Sequence, residues 1–292
     1  MSQQNTRLGI ILMITSAFVF AMQDGISRHL AGQYNVFMVV MIRYWFFAAF
    51  VIFVATRKAG GLRAAAATTQ PLVQVTRALL LISEICVTVF AFVQLGLIPT
   101  HAIFASYPLI IAALSGPILG ERVGPRRWAA IAVGFVGILI VLRPGFAVFA
   151  PQSLIAVLAA VLWASYGLLT RYAARRDSSA TSFFWTGVIG APAMTAIGLW
   201  FWEPMSGSDW GWMAVLCVSG ALGHYLLIRC YEVAEASAVQ PFAYLQLVFV
   251  TLMAVPVFGE TLEPPVALGA TIVVGAGLFT AWRERRAAIS GA

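Results

Sequence analysis

The segment Pro117-Ile118-Leu119-Gly120-Glu121, with Pro125 four residues on, decides the fold, because it returns as Pro256-Val257-Phe258-Gly259-Glu260, with Pro264 four residues on. The copies lie 139 residues apart (117 to 256) in a chain of 292. Each closes an apolar run of helix length, and a second apolar run follows each. A period near half the chain implies two related halves.

Composition fixes the solvent. The chain is 61% hydrophobic and 10% charged, with a mean hydropathy of +0.90, whereas soluble domains carry about 25% charged residues. Such a chain cannot cover a surface facing water, so it is an integral membrane protein. A bilayer core of about 30 Å takes about 20 apolar residues per helix, so the length predicts an all-α membrane fold of about ten spans. They are read at 8–27, 36–56, 72–95, 100–119, 128–142, 153–171, 182–201, 210–228, 238–258 and 265–282. Strands of alternating polarity are absent, which argues against a membrane barrel. Most prolines fall at boundaries; those inside spans, such as Pro108 and Pro117, read as kinks. The first apolar run lacks a small-residue cleavage site and reads as the first span.

The net charge of +7 reads as basic loops held on the cytoplasmic face, not as a nucleic-acid surface. With the N-terminus inside, fourteen of the eighteen Lys and Arg residues fall on the cytoplasmic side. Arg28 and Arg143 fall outside, and Arg43 and Arg77 lie within spans. Both termini are therefore expected in the cytoplasm. Five helices per half is an odd number, so residues 1–145 and 151–292 should enter the membrane from opposite sides. Inverted repeats of this kind build secondary transporters, with the substrate site at the repeat interface.

The chain resembles the drug/metabolite transporter superfamily, in its ten-helix EamA-type members, along its whole length. The resemblance rests on the two Pro-x-x-Gly-Glu segments. It rests also on Phe20-Ala21 and Trp163-Ala164, each followed by Arg28 or Arg171 eight residues after the aromatic, and on the glycines of the last helix of each half, Gly134, Gly137, Gly275 and Gly277. Phe20-Ala21 departs from the usual Trp-Gly. The resemblance implies export or exchange of small metabolites through a central cavity lined mainly by helices 1, 3, 4, 6, 8 and 9. The aromatic amino-acid exporter branch (YddG-like) looks most similar.

Several residues are candidates for the cavity. Gln74, Arg77, Leu81, Glu84, Thr88 and Ala91 share one helical face. Glu84 lies near mid-span, where a charge costs about 2.5–3.5 kcal/mol and must face protein or water. It reads as a proton site or ammonium contact, or else as a structural polar contact. Arg77 reads as a snorkelling residue near the cytoplasmic end. His224 aligns one place from Glu84 by the 139 offset, and the two are expected to face one cavity. His101 aligns with Gln240, and Tyr107 with Gln246, with Tyr244 nearby; these read as hydrogen-bonding groups or as glue between helices. Trp163 and Tyr166 face Phe20 and Gln23 across the pseudo-symmetry and could stack on a substrate. Near the outer end of helix 1, Asp24 and Arg28 are four apart and could pair, as a gate at the outer mouth or as an interfacial pair. Glu121 and Glu260 read as structural helix ends. Cys86, Cys217 and Cys230 show no metal spacing.

The expected activity is secondary transport, by alternating access, of small organic metabolites in a bacterial inner membrane. Amino-acid export, aromatic ones included, is the first reading. The alternatives are a nucleotide-sugar, S-adenosylmethionine or cationic-drug transporter, then a membrane enzyme or a channel. No catalytic cluster and no nucleotide-binding G-x-x-x-x-G-K-[ST] loop occurs, so no enzyme activity and no cofactor are expected. The partners are a small molecule and the lipid bilayer, with no nucleic acid, in a monomer or homodimer.

Overall fold

The computed structural model describes residues 5–57, 60–120, 124–142, 151–235, 239 and 242–290. Among these the chain is helical, with no strand. The elements are α1 (Thr6–Ala31), α2 (Val36–Arg57), the short α3 (Gly61–Ala66), α4 (Pro71–Leu95), α5 (Leu97–Phe104), α6 (Tyr107–Leu119), α7 (Pro125–Leu142), α8 (Pro151–Ala173), α9 (Ser179–Gly198), α10 (Gly207–Val233), α11 (Leu245–Phe258) and α12 (Pro264–Ser290). Local chemistry sets their ends. Pro71 opens α4, where a missing N–H costs nothing. The side chains of Ser178 and Ser206 accept from the backbone N–H groups of Thr181 and Asp209, capping α9 and α10.

Seven stretches among the described residues are long and apolar enough to cross a membrane, taking Leu97–Leu119 across a break; Leu245–Phe258 and Pro264–Ala276 are shorter apolar helices. The outward faces carry side chains that water would not tolerate in such numbers, among them Ile11 at 60% exposure and Leu252 at 69%. Lipid is their solvent, and the protein is a multi-pass membrane protein.

The repeated motif has one structure in both places. Gly120 ends α6 at φ 67° and Gly259 ends α11 at φ 64°, both left-handed. Their N–H groups return to the last turn, to Gly116 O and Val255 O. The proline three residues earlier lies inside each helix. Pro-x-x-Gly is thus a helix stop: the proline deletes one rung and the glycine supplies the closing conformation.

The expected single span at 100–119 is broken. α5 ends at Phe104 and α6 starts at Tyr107, because Pro108 has no N–H to offer the Phe104 carbonyl. In the second half a turn at Tyr244 precedes α11. Helix pairing is led by α1 with α10, α4 with α8, α2 with α9 and α7 with α12, followed by α1 with α11 and α6 with α8. In α7, a Cβ on Gly137 would lie 2.8 Å from the backbone oxygen of Gly269 on α12. The glycines there serve close helix approach.

Candidate functional site

Helices α1, α2, α4, α5, α8, α10 and α11 line a narrow central cavity with room of about 30 Å³. Six of the sequence candidates line it: Gln23, Glu84, His101, Trp163, His224 and Gln246. The other three stand behind it. Tyr107 packs its ring against Phe104 and Trp163. Tyr166 lies under Trp163 and takes a hydrogen bond from Arg77 at 3.3 Å. Tyr244 belongs to a separate small cluster with Leu109 and Val273. Gln240 and Glu121 fall outside the described residues.

Three kinds of wall meet in the cavity. One is aromatic: Phe20 stands edge-on to Trp163 at 5.6 Å and to His224 at 5.1 Å, with Phe104 6.0 Å from Trp163. Phe20 fits because α10 carries Gly223 there, where a Cβ would lie 2.6 Å from the ring. His224 is 3% exposed, and neither ring nitrogen has a hydrogen-bond partner among the described residues.

A second wall is carboxylate and guanidinium. Glu84, 3% exposed, accepts from Thr88 Oγ1 at 2.6 Å. Arg43 donates to Gln23 Oε1 at 3.2 Å, in space left by Gly220. The third wall joins α1, α5 and α11. His101 Nδ1 lies 3.0 Å from Leu97 O, and its Nε2 lies 3.1 Å from Asp24 Oδ2. Gln246 Nε2 donates to the same carboxylate oxygen at 3.0 Å. Phe92 stacks flat on the imidazole at 5.1 Å.

Both ends of the cavity are tied. At one end, the carboxylate of Glu260 pairs with Arg28 and accepts from the N–H groups of Leu97 and Ile98, each at 2.8 Å. Arg28 lies over the Phe258 ring at 4.4 Å. The expected Asp24–Arg28 pair does not form. Arg28 reaches a carboxylate that also caps α5, and Asp24 faces inward to His101. At the other end, Arg77 is fully buried and does not snorkel. It donates to Gln74 Oε1, Tyr166 OH, Ser182 O and Thr186 Oγ1. Gln74 bridges Arg77 to a carboxylate, donating at 2.8 Å to Asp177 Oδ2.

Sequence reasoning did not place Asp24, Arg43, Phe92 or Phe104 in this wall, whereas Thr88 lies where the shared face with Glu84 puts it. Asp24 carried the usable signal, a carboxylate beside Gln23 well inside the first apolar run.

Helices long enough to span lipid, packed around a central site of mixed polarity, make a multi-pass membrane protein with a place for a small molecule in its core. The EamA-like transporter family model matches this chain at residues 7–143 and again at 151–282. The chain belongs to that family. It is 25% identical to an S-adenosylmethionine uptake transporter of Rickettsia prowazekii, over 95% of this chain and 94% of that one. It is 28% identical to a riboflavin transporter of Vibrio cholerae, over 95% and 94%. A pseudopaline exporter of Pseudomonas aeruginosa is 21% identical over 82% and 84%. A crystal structure at 17% identity superposes with a TM-score of 0.74, covering 97% of this chain and 100% of the other, and it shares the fold. These relatives give no support to the aromatic amino-acid exporter branch.

Proposed function

We propose that the protein is a secondary transporter of a small metabolite bearing a planar nitrogen heterocycle, carried through the central cavity by alternating access in a bacterial inner membrane. The observation that carries this reading is His224. It offers two unpartnered ring nitrogens among Phe20, Trp163 and Tyr166. A buried donor and acceptor without partners cost about 1–3 kcal/mol each, and the edge of a heterocycle would satisfy both while the aromatic rings take its face. Adenine in S-adenosylmethionine and the ring system of riboflavin have such edges. A sulfonium would in addition find Glu84 and aromatic faces. The relatives thus favour the S-adenosylmethionine alternative, and riboflavin beside it, over amino-acid export.

Residues 1–145 and 151–292 act as two inverted five-helix repeats, ten spans in all, with both termini cytoplasmic. Three observations support this. The family model matches twice. The helix pairing is unchanged when each span is exchanged for its counterpart in the other half: α1–α10 becomes α8–α4, α1–α11 becomes α8–α6, and α2–α9 and α7–α12 each return themselves. The helix breaks at Ala105–Ser106 and Tyr244 fall at matching places beside the cavity, and transporters place discontinuous helices at their substrate sites.

The test is counterflow in reconstituted vesicles with labelled S-adenosylmethionine, riboflavin and tryptophan. Saturable exchange of either heterocycle, with Trp163→Ala abolishing it, is the expected result. Exchange of tryptophan alone would restore the amino-acid reading, and flux that never saturates would indicate a channel.

A further inference from the structure

We propose that Asp24 and His101 form a proton-binding pair that latches the Arg28–Glu260 end of the cavity, so that opening this end releases one proton. The argument is one of hydrogen positions. A carbonyl oxygen only accepts, so the 3.0 Å contact from His101 Nδ1 to Leu97 O requires the proton on Nδ1. A neutral imidazole then presents a lone pair at Nε2. That lone pair would face Asp24 Oδ2 at 3.1 Å, an oxygen with lone pairs of its own. Two acceptors at that distance in a buried site repel. The contact is attractive only with a further proton between them, carried as imidazolium and carboxylate or as imidazole and carboxylic acid. Gln246 Nε2 donates to the same oxygen at 3.0 Å and also lies 3.4 Å from His101 Nε2. As Asp24 Oδ2 and His101 Nε2 are themselves 3.1 Å apart, the three atoms form a near-equilateral triangle, and the two N–H bonds of one planar amide, about 120° apart, cannot both point along its sides.

The pair closes an interface. Asp24 is on α1, His101 on α5 and Gln246 on α11, and one turn further along α1 Arg28 meets Glu260, which caps α5. Separating α1 from α5 and α11 exposes Nε2 and Oδ2 to water, and the shared proton can then leave to solvent. The other charged and titratable groups facing the pair are Arg43 from α2, engaged by Gln23; Glu84 from α4, hydrogen-bonded by Thr88; and His224 from α10. None of these donates a hydrogen bond to Asp24 in place of the proton. The latch belongs to one end only: the pairing of Phe20 with Trp163 places Gly167 opposite Asp24, and the 139 offset places Gln240 opposite His101.

The inference uses the transporter reading only for what the latch serves. Its test therefore needs no substrate. Spin labels are attached at Gln33→Cys, just beyond α1, and Leu262→Cys, just beyond α11, with Cys86, Cys217 and Cys230 replaced by Ala, in lipid nanodiscs. Electron–electron distances are read at about pH 5 and about pH 9, spanning the ordinary histidine range. The expected result is one short distance in acid and a growing longer one in alkali, the ratio changing by at most about tenfold per pH unit for a single proton. In Asp24→Asn the amide N–H can donate to Nε2 without a titrating proton, so the short distance should persist at both values. His101→Gln should likewise remove the response, and it decides the matter should Asp24→Asn not fold. A distance indifferent to pH in the parent, or a response retained in both variants, overturns the proposal. Vesicle flux of labelled S-adenosylmethionine or riboflavin against a pH gradient forms a separate arm. Its failure with the distance response intact removes the substrate reading and leaves the latch.

Discussion

His224→Phe separates packing from recognition at the residue scale. Phenylalanine keeps a ring against Phe20 and Trp163 but carries no nitrogens. Because the native nitrogens have no partner among the described residues, the variant should melt no lower than the parent. Its half-saturation for the transported heterocycle should rise about two- to tenfold, one hydrogen bond being worth about 0.5–1.5 kcal/mol. Equal affinities in vesicle flux would remove His224 from the site. Glu84→Gln is the companion. The amide can still accept from Thr88, so the fold should survive, while uptake of a cationic substrate falls more than uptake of a neutral one. Glu84 and His224 were legible because periodicity and the 139 offset bring them to facing helices. The partner of Asp24 was not. A spacing of four suggested Arg28, in a pairing worth only about 0.2–0.5 kcal/mol on a helix surface. Arg28 instead found a carboxylate 232 residues away that also caps a helix, and Asp24 found an imidazole 77 residues away. Contacts at such separations follow from the packing of the bundle, which no local spacing encodes.

Elements end where the motif says, and the glycine is the costly position to change. At Gly120 and Gly259 a Cβ would meet nothing within 4 Å among the described residues, so backbone conformation is the obstacle to substitution that the structure shows. Alanine at either should cost about 1–2 kcal/mol, the usual penalty for an L-residue in the left-handed region. Asparagine should recover part of it. Thermal unfolding in detergent measures both, and an unshifted midpoint in Gly120→Ala would show that the helix stop does not depend on that φ. Gln74→Ala should be more damaging than its polar surface suggests. It removes a buried acceptor from Arg77 and a donor from Asp177, and a hydrogen bond to a charged group is worth about 1.5–3 kcal/mol; detergent-stable yield after purification is the readout. The helix stops were readable because glycine and proline act through their own backbone. The break after Phe104 was readable only as a kink at Pro108, since whether a helix resumes in the next turn depends on what its neighbours pack against it.

At the scale of the whole molecule, the structure ties chain segments to a common end, and their charge should choose the side. Asn35 N donates to Glu203 and Ser206 N to the Tyr34 hydroxyl, so the α1–α2 and α9–α10 turns share one end. Arg175 reaches the Leu119 carbonyl and Arg171 the Tyr231 carbonyl, so the ends of α6, α8 and α10 share the other. The second end gathers Arg171, Arg175, Arg176 and Arg229, whereas the first has Arg28, neutralised by Glu260. Basic loops resist translocation, so the arginine-rich end should be cytoplasmic. Reporter fusions after Gln33 and Met205 should then be active only in the periplasm, and fusions after Arg127 and Arg176 only in the cytoplasm. Splitting either pair across the membrane would contradict the contacts that join each end. Finding both pairs on the sides opposite to those expected would keep the fold and reverse its insertion. The proton latch at Asp24–His101 would then face the cytoplasm, and its response to an imposed pH gradient would change sign.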